Sequence, residues 1–127
     1  MLEQVFYYYN LNTKQPNRWL HPKITPYSEF KNSNPDDIRS ISRCPILSKG
    51  GWHFSYFGNS SFIKNKLQNF SHQEYNNDRY TSEERIQQCI AQKIDMFSGS
   101  VICSQKTEYD IYLPENAIQK FGHLTIS

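Results

Sequence analysis

Apolar and polar residues along the chain fall into segments with different periods. Residues 3–11, EQVFYYYNL, are dense in β-formers and apolar on both alternating faces, which reads as a strand central to a sheet. Trp52 to Tyr56 alternates, with Trp52, Phe54 and Tyr56 on one side and His53, Ser55 and Phe57 on the other. A turn at Lys49–Gly51 precedes it. Helical spacing takes over at Gly58–Asn59, where Ile63, Leu67 and Phe70 form one stripe over 59–70. A second helix is predicted over 81–93, opened by a Thr81/Glu84 capping box, with Ile86, Cys89, Ile90 and Lys93 following at helical spacing. EYDIYLP, 108–114, reads as a late strand. Pro114 then starts a short helix that turns Ile118 and Phe121 inward and stops at Gly122.

Proline interrupts these periods between 13 and 35. Pro16, Pro22, Pro26 and Pro35 predict a long irregular loop pinned by Trp19, Tyr27 and Phe30. Pro35 to Arg39 follows as a helical turn capped by Asn34, with Asp36 and Asp37 at its start. The resulting fold class is α/β in a single domain, 1–127: a small mixed sheet, flanking helices and a long Pro-rich loop.

Composition sharpens this picture at three points. Aromatics make up 15% of the chain against a hydrophobic fraction of 37%, so Tyr and Phe carry much of the burial. The net charge of +2 is spread among interleaved acids and bases, which argues against nucleic acid as a partner. No apolar run is long enough to span a membrane and no leader peptide opens the sequence, which makes a cytoplasmic location the default expectation. Cys44, Cys89 and Cys103 are widely spaced and read as reduced, structural thiols.

Candidate chemistry concentrates between Lys49 and Asn76. His53 taken alone reads first as a half-buried strand histidine and second as a metal ligand or phosphate contact. The Gly50-Gly51 pair permits close approach of a backbone or a ligand. His72 reads as a cation at a helix C-terminus or as half of a proton-transfer pair with Glu74. Trp19 and the Tyr7–Tyr9 run are core or a sugar-stacking platform. No Ser/His/Asp order, P-loop or zinc-ligand spacing occurs.

GGWHFSYFG (50–58), followed by a helix and SHQEYN (71–76), resembles glycosyltransferase family 17. FYYYNLN (6–12), HPKI (21–24), PDDIRS (35–40) and YLPENAI (112–118) agree with the same family in collinear order. The resemblance implies a GT-A-like fold and inverting transfer of GlcNAc from UDP-GlcNAc to a mannose of an N-glycan, aided by Mn²⁺ or Mg²⁺. It implies His53 as metal ligand, with His72 as second choice, and Glu74 as base or acceptor-orienting acid, ahead of Asp36 and Asp37. Gly50, Gly51, Trp52, Tyr56 and Trp19 would then contact substrate.

The family's Asp-x-Asp pair, which holds metal and nucleotide, is missing from this chain. The matching residues correspond to the C-terminal half of such an enzyme, so a protein inactive alone, or active only with a partner carrying the other half, is expected. A mid-sheet strand deprived of that half would expose an edge for a second copy or a separate polypeptide. A non-catalytic glycan- or nucleotide-sugar-binding domain is the alternative, and an unrelated interaction domain the third.

Overall fold

The computed structural model describes residues 1–102, 113–114 and 116–121. It is a small α/β structure built on a two-stranded parallel sheet. Strand β1 (Val5–Tyr8) pairs with β2 (Trp52–Ser55) in the register Val5↔Trp52, Phe6↔His53, Tyr7↔Phe54 and Tyr8↔Ser55. Parallel strands need a long crossover, and residues 9–51 supply it. This gives the Pro-rich region its structural task.

β1 is flanked on both sides. Its far edge is taken by the chain itself, which doubles back after Tyr8. Tyr9 adopts a left-handed backbone (φ 66°), and the Asn10 carboxamide oxygen accepts from the Asn12 N–H (2.9 Å) and the Thr13 hydroxyl (3.1 Å). The Tyr8 N–H then donates to Thr13 O, Gln15 N–H to Phe6 O, and Gln4 and Trp19 exchange two bonds of 2.9 Å. The central position predicted for this strand holds, but the ladder is shorter than 3–11 because Tyr9 ends it. The expected open edge on β1 is corrected: residues 13–19 cover it.

Two short helices sit in the crossover, α1 (Tyr27–Phe30) and α2 (Pro35–Ser40). Asn34 caps α2 as predicted, accepting from the Asp36 N–H at 3.0 Å. Tyr27 and Phe30 do not pin the loop; they are 76% and 44% exposed. Trp19 alone of the three is anchored.

The helical layer comprises α3 (Ser60–Asn69), a single 3₁₀ turn (Gln73–Tyr75), α4 (Asp78–Thr81) and α5 (Glu83–Gln92). Asn59 caps α3 through the Phe62 N–H (2.9 Å). Ile63 and Leu67 of α3 and Ile86, Cys89 and Ile90 of α5 pack with Tyr8, Tyr9, Met96 and Ile102 into the core. Each fully buried aliphatic side chain here contributes about 1.5–3 kcal/mol. The Tyr9 hydroxyl, carried into this apolar layer, donates to Ile94 O at 2.8 Å.

The helix predicted over 81–93 is corrected at both ends. Thr81 closes α4, and Ser82 is the cap of α5, accepting from the Arg85 N–H. A Ser with extended backbone can cap, whereas Thr81 is already helical. Lys93 leaves the helix with φ 53° and sends its amine to Asn12 O at 3.2 Å. The last helix, α6, runs Ala117–Phe121 rather than from Pro114, whose carbonyl accepts from the Ala117 N–H. Phe121 packs on Phe54 and Phe57, while Ile118 faces outward at 49% exposure. The strand expected at 108–114 falls largely outside the described residues, as do Cys103 and Gly122. Cys44 and Cys89 are free thiols. Among the described residues no helix is long and apolar enough to cross a membrane.

Candidate functional site: an aromatic face and the cavity behind it

Strand parity sends neighbouring candidate residues to opposite faces of the sheet. His53 shares a face with its register partner Phe6, and their rings meet edge-on at 4.8 Å. Trp19, paired to Gln4, projects to the same face. Its indole stacks on the His53 imidazole, with centroids 4.2 Å apart and planes 3° apart. His21 closes on the indole at 4.2 Å.

The same face continues toward α3. Phe6 meets Tyr8 at 5.8 Å, Tyr8 meets Tyr56 at 5.6 Å, and Tyr56 meets Phe70 at 6.4 Å. Phe70 reaches His72 at 5.4 Å. Tyr56 belongs here only because its backbone is left-handed (φ 46°). Simple alternation predicts it beside Trp52 and Phe54. The left-handed residue reverses the parity, so Phe57 takes that place and packs on Phe54 at 4.9 Å. This corrects the predicted sidedness of both residues.

Electrostatics of the strip follow from its half-burial. Burial first, then the charges of Lys66 and His21, hold the His53 imidazole below its usual pKa. The Lys66 ammonium lies 4.5 Å from the centre of the Tyr56 ring, a cation–π contact. Burial, followed by Tyr75 and Asp95, pushes the Tyr56 phenol up to about 12, so it remains a hydrogen-bond donor at neutral pH.

His72 and Glu74 close the strip. His72 Nδ1 and Glu74 Oε1 lie 2.9 Å apart, both side chains exposed. The Glu74 backbone N–H, then the His72 imidazole, hold the carboxyl below the usual carboxylate value. Such a group is ionised at neutral pH and accepts hydrogen bonds well. It is a weak proton acceptor, since a general base works best with a pKa near ambient pH. Among the described residues no hydrogen bond or ion pair ties Asp36 or Asp37 to the strip.

The remaining candidates lie elsewhere. Gly50 is needed for close approach, but the approaching backbone is the chain's own. A Cβ there would stand 2.7 Å from Leu2 Cβ and 3.1 Å from Glu3 N. Gly51 (φ 120°) and Trp52 line a cavity of about 850 Å³ together with Val5 and Phe6. The structure therefore joins Trp19, His53, Tyr56, His72 and Glu74 on one face and puts Gly51 and Trp52 on the other.

A divalent cation needs several oxygen or nitrogen donors around one point. Among the described residues no three His, Cys, Asp or Glu side chains come together to offer that. Among the described residues the rings packed on His53 are those of Trp19 and Phe6.

Sequence reasoning did not single out Phe6 or Lys66, named Tyr8 only within the Tyr7–Tyr9 run, and placed Phe70 only in the apolar stripe of a helix. The spacing of Phe6 and Tyr8 marks one strand face, but which face meets His53 depends on the parallel register. Comparison with protein-family models, with curated proteins and with solved structures found no match to this chain.

Proposed function

We propose that this chain handles carbohydrate, as a glycosyltransferase-like protein whose aromatic face binds a glycan. The observation that carries the reading is the Trp19–His53 stack, joined through Phe6, the buried Tyr8, Tyr56 and Phe70 to the His72–Glu74 pair. Half-buried rings offer flat apolar surface to the C–H face of a pyranose. The Tyr56 hydroxyl and the Glu74 carboxylate offer a donor and an acceptor for sugar hydroxyls. The low basicity of Glu74 favours orienting an acceptor hydroxyl over abstracting its proton.

The resemblance to N-acetylglucosaminyltransferases names the acceptor class, a mannose of an N-glycan, and the donor, UDP-GlcNAc. Its GT-A-like fold is part of the same proposal. Transfer requires a group that neutralises the leaving diphosphate. With no Asp-x-Asp pair in the sequence, we assign that task to a partner and give the chain alone the glycan-binding role.

Calorimetry separates these roles. A mannose-rich or complex N-glycan binds the chain, and Trp19→Ala or Tyr56→Ala weakens it about tenfold, the equivalent of roughly 1.4 kcal/mol. UDP-GlcNAc with Mn²⁺ gives no turnover by the chain alone. Absence of binding by either glycan overturns the glycan-binding proposal.

A further inference from the structure

The crossover between the strands carries an apolar surface that the core does not use. Of the nine large apolar side chains exposed among the described residues, six lie in it: Ile24, Tyr27, Phe30, Ile41, Ile46 and Leu47. None of the residues 21–50 is buried. Ordering a backbone costs roughly 1–2 kcal/mol per residue, and this segment has no core of its own to offset that. Hydrogen bonds gather its stretches. Leu2 N–H donates to Pro22 O and Leu47 N–H to Met1 O, at 2.9 and 2.8 Å, while Lys23 Nζ donates to Arg39 O. Ile24, Ile41, Ile46 and Leu47 therefore emerge from neighbouring stretches, and α1 adds Tyr27 and Phe30 one turn apart. Apolar side chains gathered and left exposed in this way mark an interaction site.

We propose that a second copy of this chain covers residues 24–47, with the two α2 helices antiparallel across a two-fold axis. The charges on and after α2 select that occupant. Asp36 and Asp37 stand at its start, Arg39 near its end and Arg43 just beyond, all exposed. The hydrogen bonds at Asp36, Asp37 and Arg39 use only backbone atoms. Among the described residues no ion pair takes any of the four side chains. A two-fold axis across α2 lays the acidic end of one copy on the basic end of the other, so the surface matches itself. A surface of one sign would repel its own copy. The length agrees, since a standard interface engages about 20–30 residues a side. The apolar side chains supply the association energy and the charges fix the register. The interface stands whether or not the aromatic strip binds glycan.

Interfaces of this size run from micromolar to picomolar dissociation constants, so the full chain at about 100 μM sediments as a dimer. Tyr27→Ser and Ile41→Ser replace side chains 76% and 47% exposed, so both keep the fold by circular dichroism. Each raises the dissociation constant about tenfold. Charge exchange tests the arrangement. Asp36→Lys with Asp37→Lys makes the charges of 36–43 all basic, and Arg39→Glu with Arg43→Glu makes them all acidic. Each double variant alone sediments as a monomer. An equimolar mixture of the two restores a dimer of native affinity, a rescue that misfolding cannot produce. A native chain that stays monomeric at that concentration overturns the proposal, and so does a dimer whose affinity none of these variants changes. Failure of the mixture to associate overturns the pairing of α2 with α2. A mixture much tighter than the native dimer means that like charges face each other in the latter, and overturns the antiparallel arrangement.

Discussion

The imidazole of His53 lies flat on the indole of Trp19, 4.2 Å between centroids and 3° between planes. The stack ties β2 to the returning arm across β1, since Trp19 pairs in the backbone with Gln4 and His53 is in register with Phe6. A neutral imidazole suits this half-buried place better than a charged one.

Stability therefore depends on the protonation of His53. Its folded pKa lies below the ordinary 6.5 through burial, Lys66 and His21. Between the folded and unfolded values the unfolded chain binds more protons, so stability rises with pH across that window and is complete above the unfolded value. Denaturation midpoints measured from pH 5 to 7.5 rise for the native chain and flatten in His53→Gln. Lys66→Gln removes a nearby positive charge and raises the His53 pKa, read from its ring proton shift. An unchanged shift in Lys66→Gln removes the electrostatic part of this account.

Tyr56 combines a left-handed backbone with a ring packed against Tyr8, Phe70 and Phe97. Tyr56→Val loses the ring and places a β-branched residue where φ is positive, so it destabilises more than Tyr56→Ala. Tyr56→Gly loses the ring but relaxes the backbone. Tyr56→Ala costs roughly 1–3 kcal/mol, less than truncation of a fully buried aromatic. Urea midpoints in the order Tyr, then Gly at or above Ala, then Val test the assignment; Val at or above Ala contradicts it.

Gly50 sits where the turn before β2 passes over Leu2 and Glu3, its N–H donating to Glu3 O at 2.8 Å. A methyl at Gly50 collides with Leu2 Cβ at 2.7 Å. Gly50→Ala costs about 1–3 kcal/mol, as overpacking does. Pairing it with Leu2→Ala does not relieve the clash, because Leu2 Cβ remains. A denaturation midpoint unchanged by Gly50→Ala argues against this close approach.

The helical periods were readable because they depend on contacts within a few residues. Ile63 and Leu67 recur one turn apart, and Asn34 and Asn59 cap through neighbouring N–H groups. Thr81 and Ser82 are both good caps, and only the chain path into α4 decided between them. The candidate site was legible residue by residue but not as an arrangement. His53 and Trp19 were each singled out, yet nothing local says that an arm from the far side of β1 brings one onto the other.

The sequence alone determined where the apolar stripes run, which residues cap, and that aromatic rings would carry much of the burial, because propensity and periodicity act over a turn or a strand step. Tertiary structure decided that residues 13–19 close β1, that a left-handed Tyr56 joins the face of His53, and that Gly50 yields to the chain's own Leu2 while Gly51 lines a cavity. Each of these depends on contacts between segments far apart in the chain, whose register is set by packing of the whole.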